Sequence, residues 1–348
     1  MRETVAALVF SATLPFLGSA QEAVPPLFAS HQALSLTIEA DFDRIHKDRK
    51  EDSDYHPAII RWEGADQTEQ ELEFQVKTRG RFRLKRSTCQ DPPLRLNFPK
   101  SRVQGTFFEG QDKLKLVTHC RDRDTFEQNT LKEYLIYRTY NLLTDSSFRV
   151  RLARVTYVDS RGKDDPLVRY GFVIEDEDDL ADRIGGKIIE IEQAHPSQLG
   201  SVDAARVAVF QYMIGNTDWS LVFFHNIKLM RTADGTYVPI PYDFDWSGLV
   251  NASYAEPAPE LGTRSVRDRI YRGYCRPAVD FGLINEQFQE NREAILNLFA
   301  NQEGLSERTQ GRAADYLEKF FEILDDPSKA EREIVGSCRT VLGRGPDS

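Results

Sequence analysis

Strict period-two alternation in the first half of the chain, giving way to helical spacing in the second, is the feature that most restricts the fold. Residues 34–42 read LSLTIEADF, which puts Leu34, Leu36, Ile38, Ala40 and Phe42 on one face. Leu72, Phe74, Val76 and Thr78 repeat the pattern, and shorter runs stand at 94–98 (LRLNF) and 113–117 (KLKLV). Successive side chains of an extended backbone leave opposite faces, so this alternation predicts half-buried, mostly antiparallel strands. One helix interrupts them. Asp124 and Glu127 have the spacing of a capping box with Asp124 as N-cap, and Leu131, Tyr134, Leu135 and Leu142 follow at helical intervals. Strands resume at 148–158 and 168–175.

The acidic stretch 175–183 marks the change of character. Beyond it, Ser201 is placed to cap a helix carrying Val202, Ala205, Val209 and Tyr212 on one side. Two short strands, around 226–231 and 237–242, flank Asp234-Gly235 and predict a hairpin. Apolar stripes predict helices at 283–300 and 311–325, with Gly304 and Pro327 as stops. The class is α+β: a β-rich N-terminal lobe over 27–176, a mostly helical C-terminal lobe over 177–342, and a tail at 343–348 too polar and glycine-rich to pack.

The first residues predict export. Met1-Arg2 is a minimal basic start, residues 4–17 are mostly apolar, and Gly18-Ser19-Ala20 supplies small residues for cleavage, so 1–20 reads as a signal peptide. The apolar run is shorter than the ~20 residues of a membrane span, and no later stretch is a transmembrane candidate. Four cysteines in an exported chain suggest disulfides. The preferred pairing is Cys89–Cys120 and Cys275–Cys338, each within one half of the chain. None of the four forms a CxxC pair of the kind that holds structural zinc. A net charge of −10 argues against nucleic acid as a partner, since phosphate backbones reward clustered Lys and Arg. The sign is uneven, however. Residues 77–86 (KTRGRFRLKR) are strongly basic and fit either a phosphate-facing surface or a solvated strand edge.

Polar chemistry concentrates in residues 215–248. The segment 215–229 reads GNTDWSLVFFHNIKL, and 239–248 reads PIPYDFDWSG. A hairpin brings the entry of its first strand beside the exit of its second, which places Asn226 near Asp243 with Asp218 across the loop. Carboxylate and amide oxygens form a hard donor set suited to Mg²⁺ or Mn²⁺, with water and phosphate oxygens completing the shell. A further carboxylate can orient a nucleophile or accept its proton. Asp and Asn also cap turns, so each residue taken singly fits a structural role. His225, next to Asn226, is the one histidine placed to take part.

The order Asn216-x-Asp218, His225-Asn226, a strand, then Pro241-Tyr242-Asp243-Phe244-Asp245 resembles the CotH (spore coat protein H) family of secreted, atypical protein-kinase-like proteins. Arg79-Gly80, the strand Pro93-Leu94-Arg95-Leu96-Asn97-Phe98 and the 127–143 helix resemble further parts of that family, over roughly residues 34–250. The resemblance implies a two-lobed protein-kinase-like fold, with an N-terminal antiparallel sheet and one main helix. It implies ATP with Mg²⁺ or Mn²⁺ as cofactors, and phosphoryl transfer to a hydroxyl of an exported protein. Asp218 would be the catalytic aspartate. Asn226 and Asp243 would hold metal under the phosphates, with Asp245 as a second contact. Arg79 or Arg95 would neutralise phosphate charge, and Glu133 would partner the basic residue of the Arg95 strand. DFG is replaced here by Asp243-Phe244-Asp245, and no GxGxxG loop is present. The other class left open is a binding or surface-assembly protein without catalysis.

Overall fold

The computed structural model describes residues 26–64 and 68–340. The expected signal peptide (1–20) and tail (343–348) lie outside the described residues. Strands β1 (Leu34–Ala40), β2 (His56–Glu63), β3 (Glu69–Thr78), β4 (Leu94–Asn97), β5 (Lys113–Val117), β6 (Val150–Asp159) and β7 (Leu167–Ile174) close into a barrel in the order β1-β2-β3-β4-β5-β7-β6. Neighbours run antiparallel except at the seam, where β1 lies parallel to β6, with Leu34 opposite Ala153 and Ala40 opposite Asp159. This closure corrects the two-lobed, kinase-like fold expected from the resemblance: the N-terminal strands form a closed mixed barrel, not a small open antiparallel sheet. Alternation fixes which face of each strand is apolar. It does not say whether the last strand returns to the first.

The barrel interior is filled by the inward faces. Leu36, Ile38, Ile60, Phe74, Val76, Leu96, Leu114 and Val155 are buried there, and Phe98 stacks between Phe74 and Phe108. A short helix, α1 (Phe42–Lys47), follows β1 and buries Ile45. The main helix, α2 (Asp124–Leu143), packs on the outside of β6 and β7 and is buried on most sides through Leu131, Tyr134, Leu135, Ile136, Tyr137 and Tyr140. A helix apolar around most of its circumference belongs inside a protein. Here it joins the barrel wall to a second core shared with the later helices. Its N-cap is Arg123, so Asp124 is the first helical residue and not the cap as expected. Asp124 and Glu127 still favour the positive end of the helix, and both lie against Arg169.

The second half begins with α3 (Glu177–Ile184), β8 (Gly186–Ile189) and α4 (Ser201–Ile214), followed by the hairpin strands β9 (Ile227–Thr232) and β10 (Tyr237–Pro241). The three strands form a sheet in the order β10-β9-β8. Gly200, not Ser201, occupies the cap of α4. The helix expected at 283–300 is two helices, α5 (Phe281–Glu290) and α6 (Arg292–Ala300), which meet at Asn291; its side chain donates to Gln287 O at 2.9 Å. Next, α7 (Glu307–Leu324) starts earlier than expected because Ser306 caps it. Pro327 opens a further turn, α8 (Pro327–Ala330), instead of only ending a helix. The disulfides are Cys89–Cys120 and Cys275–Cys338, the expected pairing. Among the described residues no helix is long and apolar enough to cross a membrane.

Candidate functional site

The loop between α4 and β9 is held at both ends. Gly215 terminates α4 in the left-handed region (φ 63°), and a Cβ there would run into the Tyr316 hydroxyl. Asn216 then organises the turn. Its side chain donates to Gln211 Oε1 (3.0 Å) and accepts from Asp218 N (2.9 Å), while its carbonyl accepts from Trp219 Nε1 (3.0 Å). Asp218 is therefore fixed by its backbone as well as by its carboxylate. Asn226 Nδ2 donates to Asp218 O (2.8 Å) and Oδ2 (3.0 Å), and His225 Nε2 lies 2.8 Å from Oδ1. The Asp218 hydrogen bond raises the His225 imidazole above its ordinary pKa, with partial burial opposing it.

The base of the hairpin brings the second carboxylate alongside. Ile227 pairs with Pro241, and Tyr242 N donates to Asn226 O at 3.1 Å. Asp243 follows immediately, its N–H donating to the Tyr137 hydroxyl of α2 (2.9 Å), and Phe244 packs on Tyr137 and Phe210. Three non-glycine residues here have positive φ: Phe224 (49°), Asn226 (52°) and Asp243 (60°). Asn and Asp tolerate that region, but Phe adopts it at a cost that the surroundings must offset, and such strain gathers at functional sites.

Behind Asp243 sits a buried charge network. Arg83, on the 3-10 turn Phe82–Leu84, places Nη2 2.8 Å from Asp243 Oδ1, Nη1 3.3 Å from Glu133 Oε2 and Nε 3.4 Å from Asp245 Oδ2. One guanidinium thus faces three carboxylates. Glu133 and Asp245 are 2% and 5% exposed, and Glu133 Oε1 has no hydrogen-bond partner. Burial drives Glu133 up to about 8, with Arg83 opposing, and drives Asp245 up to about 6, with Asp243 adding to the rise. The Tyr254 hydroxyl donates to Asp245 Oδ2 at 2.9 Å.

Asp243 and Glu133 also border a narrow cavity of about 20 Å³, room for about one water, whose other polar walls are Arg79, Arg83, Lys115, Tyr137, Tyr242 and Lys228. The cations converge from the barrel's outer face. Lys77 stands opposite Arg95 across β3–β4, and Arg95 stands opposite Lys115 across β4–β5. Like charges directly opposite in a sheet are destabilising, so this row is poorly matched within the chain itself. Glu177 is the nearest carboxylate, 2.7 Å from Lys228 and 3.9 Å from Lys115. Burial, then Arg79, lowers Lys115 to about 8. The Arg79 guanidinium has no hydrogen-bond partner among the described residues.

No family model, curated protein or solved structure matches the chain.

The residues singled out from the sequence therefore fall into three groups. Asp218, His225, Asn226 and Asp243 come together at the hairpin base. Arg79 lines the cavity, whereas Arg95 lies on the sheet face leading to it. The expected partnership of Glu133 with the basic residue of the Arg95 strand is replaced by one with Arg83. Asp245 turns inward, with Oδ2 facing Arg83 and Tyr254, so it is not placed beside Asp243 as a second cation contact. Among the described residues no group of three or more His, Cys, Asp or Glu side chains is arranged to hold a metal ion. The donors left are Asn226 Oδ1 and the second Asp243 oxygen. Sequence reasoning missed Lys115, Lys228, Tyr137 and the specific role of Arg83. The last lay inside the basic run 77–86, and Lys115 stands on the outward phase of KLKLV.

Proposed function

We propose that this is an exported phosphotransferase, which binds a nucleoside triphosphate with a divalent cation and passes a phosphoryl group to a protein hydroxyl. One observation carries the reading: an in-register row of cations, Lys77–Arg95–Lys115, leads to a cavity where Arg79 and Lys228 face Asp243, with Asp218 and Asn226 at the adjoining hairpin base. Clustered cations that outnumber their carboxylates, with Glu177 shared between Lys228 and Lys115, suit a polyanion, and phosphoryl transfer is mostly positioning and charge stabilisation. Asp218 would accept the acceptor's proton, its orientation set by Asn226 and His225. A bound divalent cation would supply neutralisation of phosphate charge. The reading keeps the residue-level likeness to the CotH family and does not need that family's overall fold. The two disulfides and the expected leader are its grounds for export.

Ligand binding without transfer is the second reading, and the narrowness of the cavity favours it: an intact nucleotide needs the walls around Lys115 and Lys228 to part. The two readings separate on turnover. Transfer of labelled γ-phosphate from ATP with Mn²⁺ should be lost in Asp218→Ala and Asp243→Asn, while both variants still fold. A thermal shift with ATP and Mn²⁺ that vanishes in Lys115→Met, without turnover in the unaltered chain, supports binding alone. No shift at millimolar ATP removes both.

A further inference from the structure

Away from that site, α2, the segment 250–253 and the start of α7 enclose a polar cleft of about 610 Å³. Lys132, Arg308 and Arg312 line it, together with the exposed Ser253 and with Asn251, whose φ is 52°. Gln128 fixes the wall. It donates to Gly304 O (2.7 Å) and accepts from Ser306 N (2.8 Å), tying α2 to the beginning of α7. Lys132 Nζ donates to Val250 O, which leaves two of its three protons for another acceptor. Among the described residues none of Lys132, Arg308, Arg312 or the nearby Arg267 has an ion-pair partner. The two acids on the rim, Asp124 and Glu127, are instead 3.2 and 3.5 Å from Arg169.

A chain with net charge −10 has carboxylates to spare. With Asp124 and Glu127 committed to Arg169, the three cations that line the cleft, and Arg267 close to Lys132, repel each other largely uncompensated. Burial first, then Arg267 and Arg312, lowers the Lys132 ammonium to about 8. We propose that the cleft binds a tetrahedral, doubly charged oxyanion: phosphate, either free or as the phosphoryl group of a peptide side chain. The forked guanidinium groups of Arg308 and Arg312 match phosphate oxygens in pairs, and Lys132 supplies a point charge from the floor. A single carboxylate carries too little charge to balance the set.

Calorimetric titration of the full chain with inorganic phosphate, and separately with a short phosphoserine peptide, tests this. Both arginines are exposed, so Arg308→Glu with Arg312→Glu keeps the fold. The double variant should bind about tenfold more weakly or worse, whereas Lys100→Gln, an exposed cation that lines neither cationic site, should bind as the unaltered chain does. Tighter binding of the peptide assigns the source as a phosphorylated protein, and tighter binding of the free ion assigns it as phosphate. Unchanged affinity in the double variant, or no binding of either probe at millimolar concentration, overturns the proposal. A readout independent of any variant is acetylation of Lys132 in the unaltered chain, followed by mass spectrometry. Its lowered pKa makes the amine reactive near pH 8, bound phosphate should slow the reaction, and an unaltered rate in saturating phosphate sinks the proposal as well.

Discussion

Replacing Arg83 by Met should destabilise the chain strongly at alkaline pH and much less in mild acid. Arg83 is 8% exposed and, among the described residues, is the only cation in contact with Glu133, Asp243 and Asp245 together. Removing one partner of a buried ionic group leaves charge without compensation, at a cost of about 3–5 kcal/mol. With a total stability of about 5–15 kcal/mol the variant remains measurable. The cost depends on pH because the stranded carboxylates can neutralise. In the native state Glu133 titrates at about 8 and Asp245 at about 6, both raised above the ordinary carboxylate range, chiefly by burial. A raised folded pKa means that the folded state holds a proton which the unfolded state has released. The stabilising effect is complete below the unfolded pKa and is lost as pH rises through the folded one. The unaltered chain should therefore lose stability between roughly pH 4 and 8 through these two groups. In the variant both pKa values climb further. The loss at pH 5.5 should shrink to about 1–2 kcal/mol, the scale of one charge-assisted hydrogen bond. Urea unfolding followed by tryptophan fluorescence at pH 5.5 and 8.5 measures both numbers. A loss that is equal at the two pH values would show that the carboxylates are not titrating against Arg83, and the account of the network would be wrong.

Other expectations are simpler to check. Asp218→Ala removes the hydrogen bond that raises His225, so the imidazole resonances should titrate at a lower pH in a ¹H–¹⁵N spectrum; an unmoved midpoint rules out that pairing. Replacing Cys275 and Cys338 with Ala should cost about 2–5 kcal/mol in urea, because the bridge closes a long loop of chain; a smaller loss points to a denatured state that stays compact. Phe244→Ala should cost about 3–5 kcal/mol, since the ring is fully buried against Tyr137 and Phe210, and should also disturb Asp243 next to it.

Local structure was legible where one residue type decides it. The strands of the first half follow their alternation closely, and Asp234-Gly235 does turn the β9–β10 hairpin. The grouping of Asp218, Asn226 and Asp243 followed from that hairpin alone. Features that depend on partners distant in the chain were not legible. The pairing of β1 with β6 leaves no mark in either strand, because a period of two is the same for an open and a closed sheet. β2 was overlooked because HPAIIRWE mixes a proline and an apolar pair into its pattern. The break between α5 and α6 falls at Asn291, with no Gly or Pro to announce it. Which arginine turns inward is decided by the 3-10 turn at Phe82–Leu84, and a basic run alone cannot show that.

The parallel seam has a consequence for the order of assembly. During synthesis β1 can meet β2 early, but its other side has no neighbour until the chain has been extended through Asp159. Over that interval the nascent chain carries an open edge of alternating apolar residues, the kind of template on which strands from other molecules add. Closing the ring late also makes folding slow, since a long loop must be ordered before the contact that rewards it forms. High-level production should accordingly lose material to aggregation before the sixth strand docks, and a chaperone that shields the first strand should raise the yield.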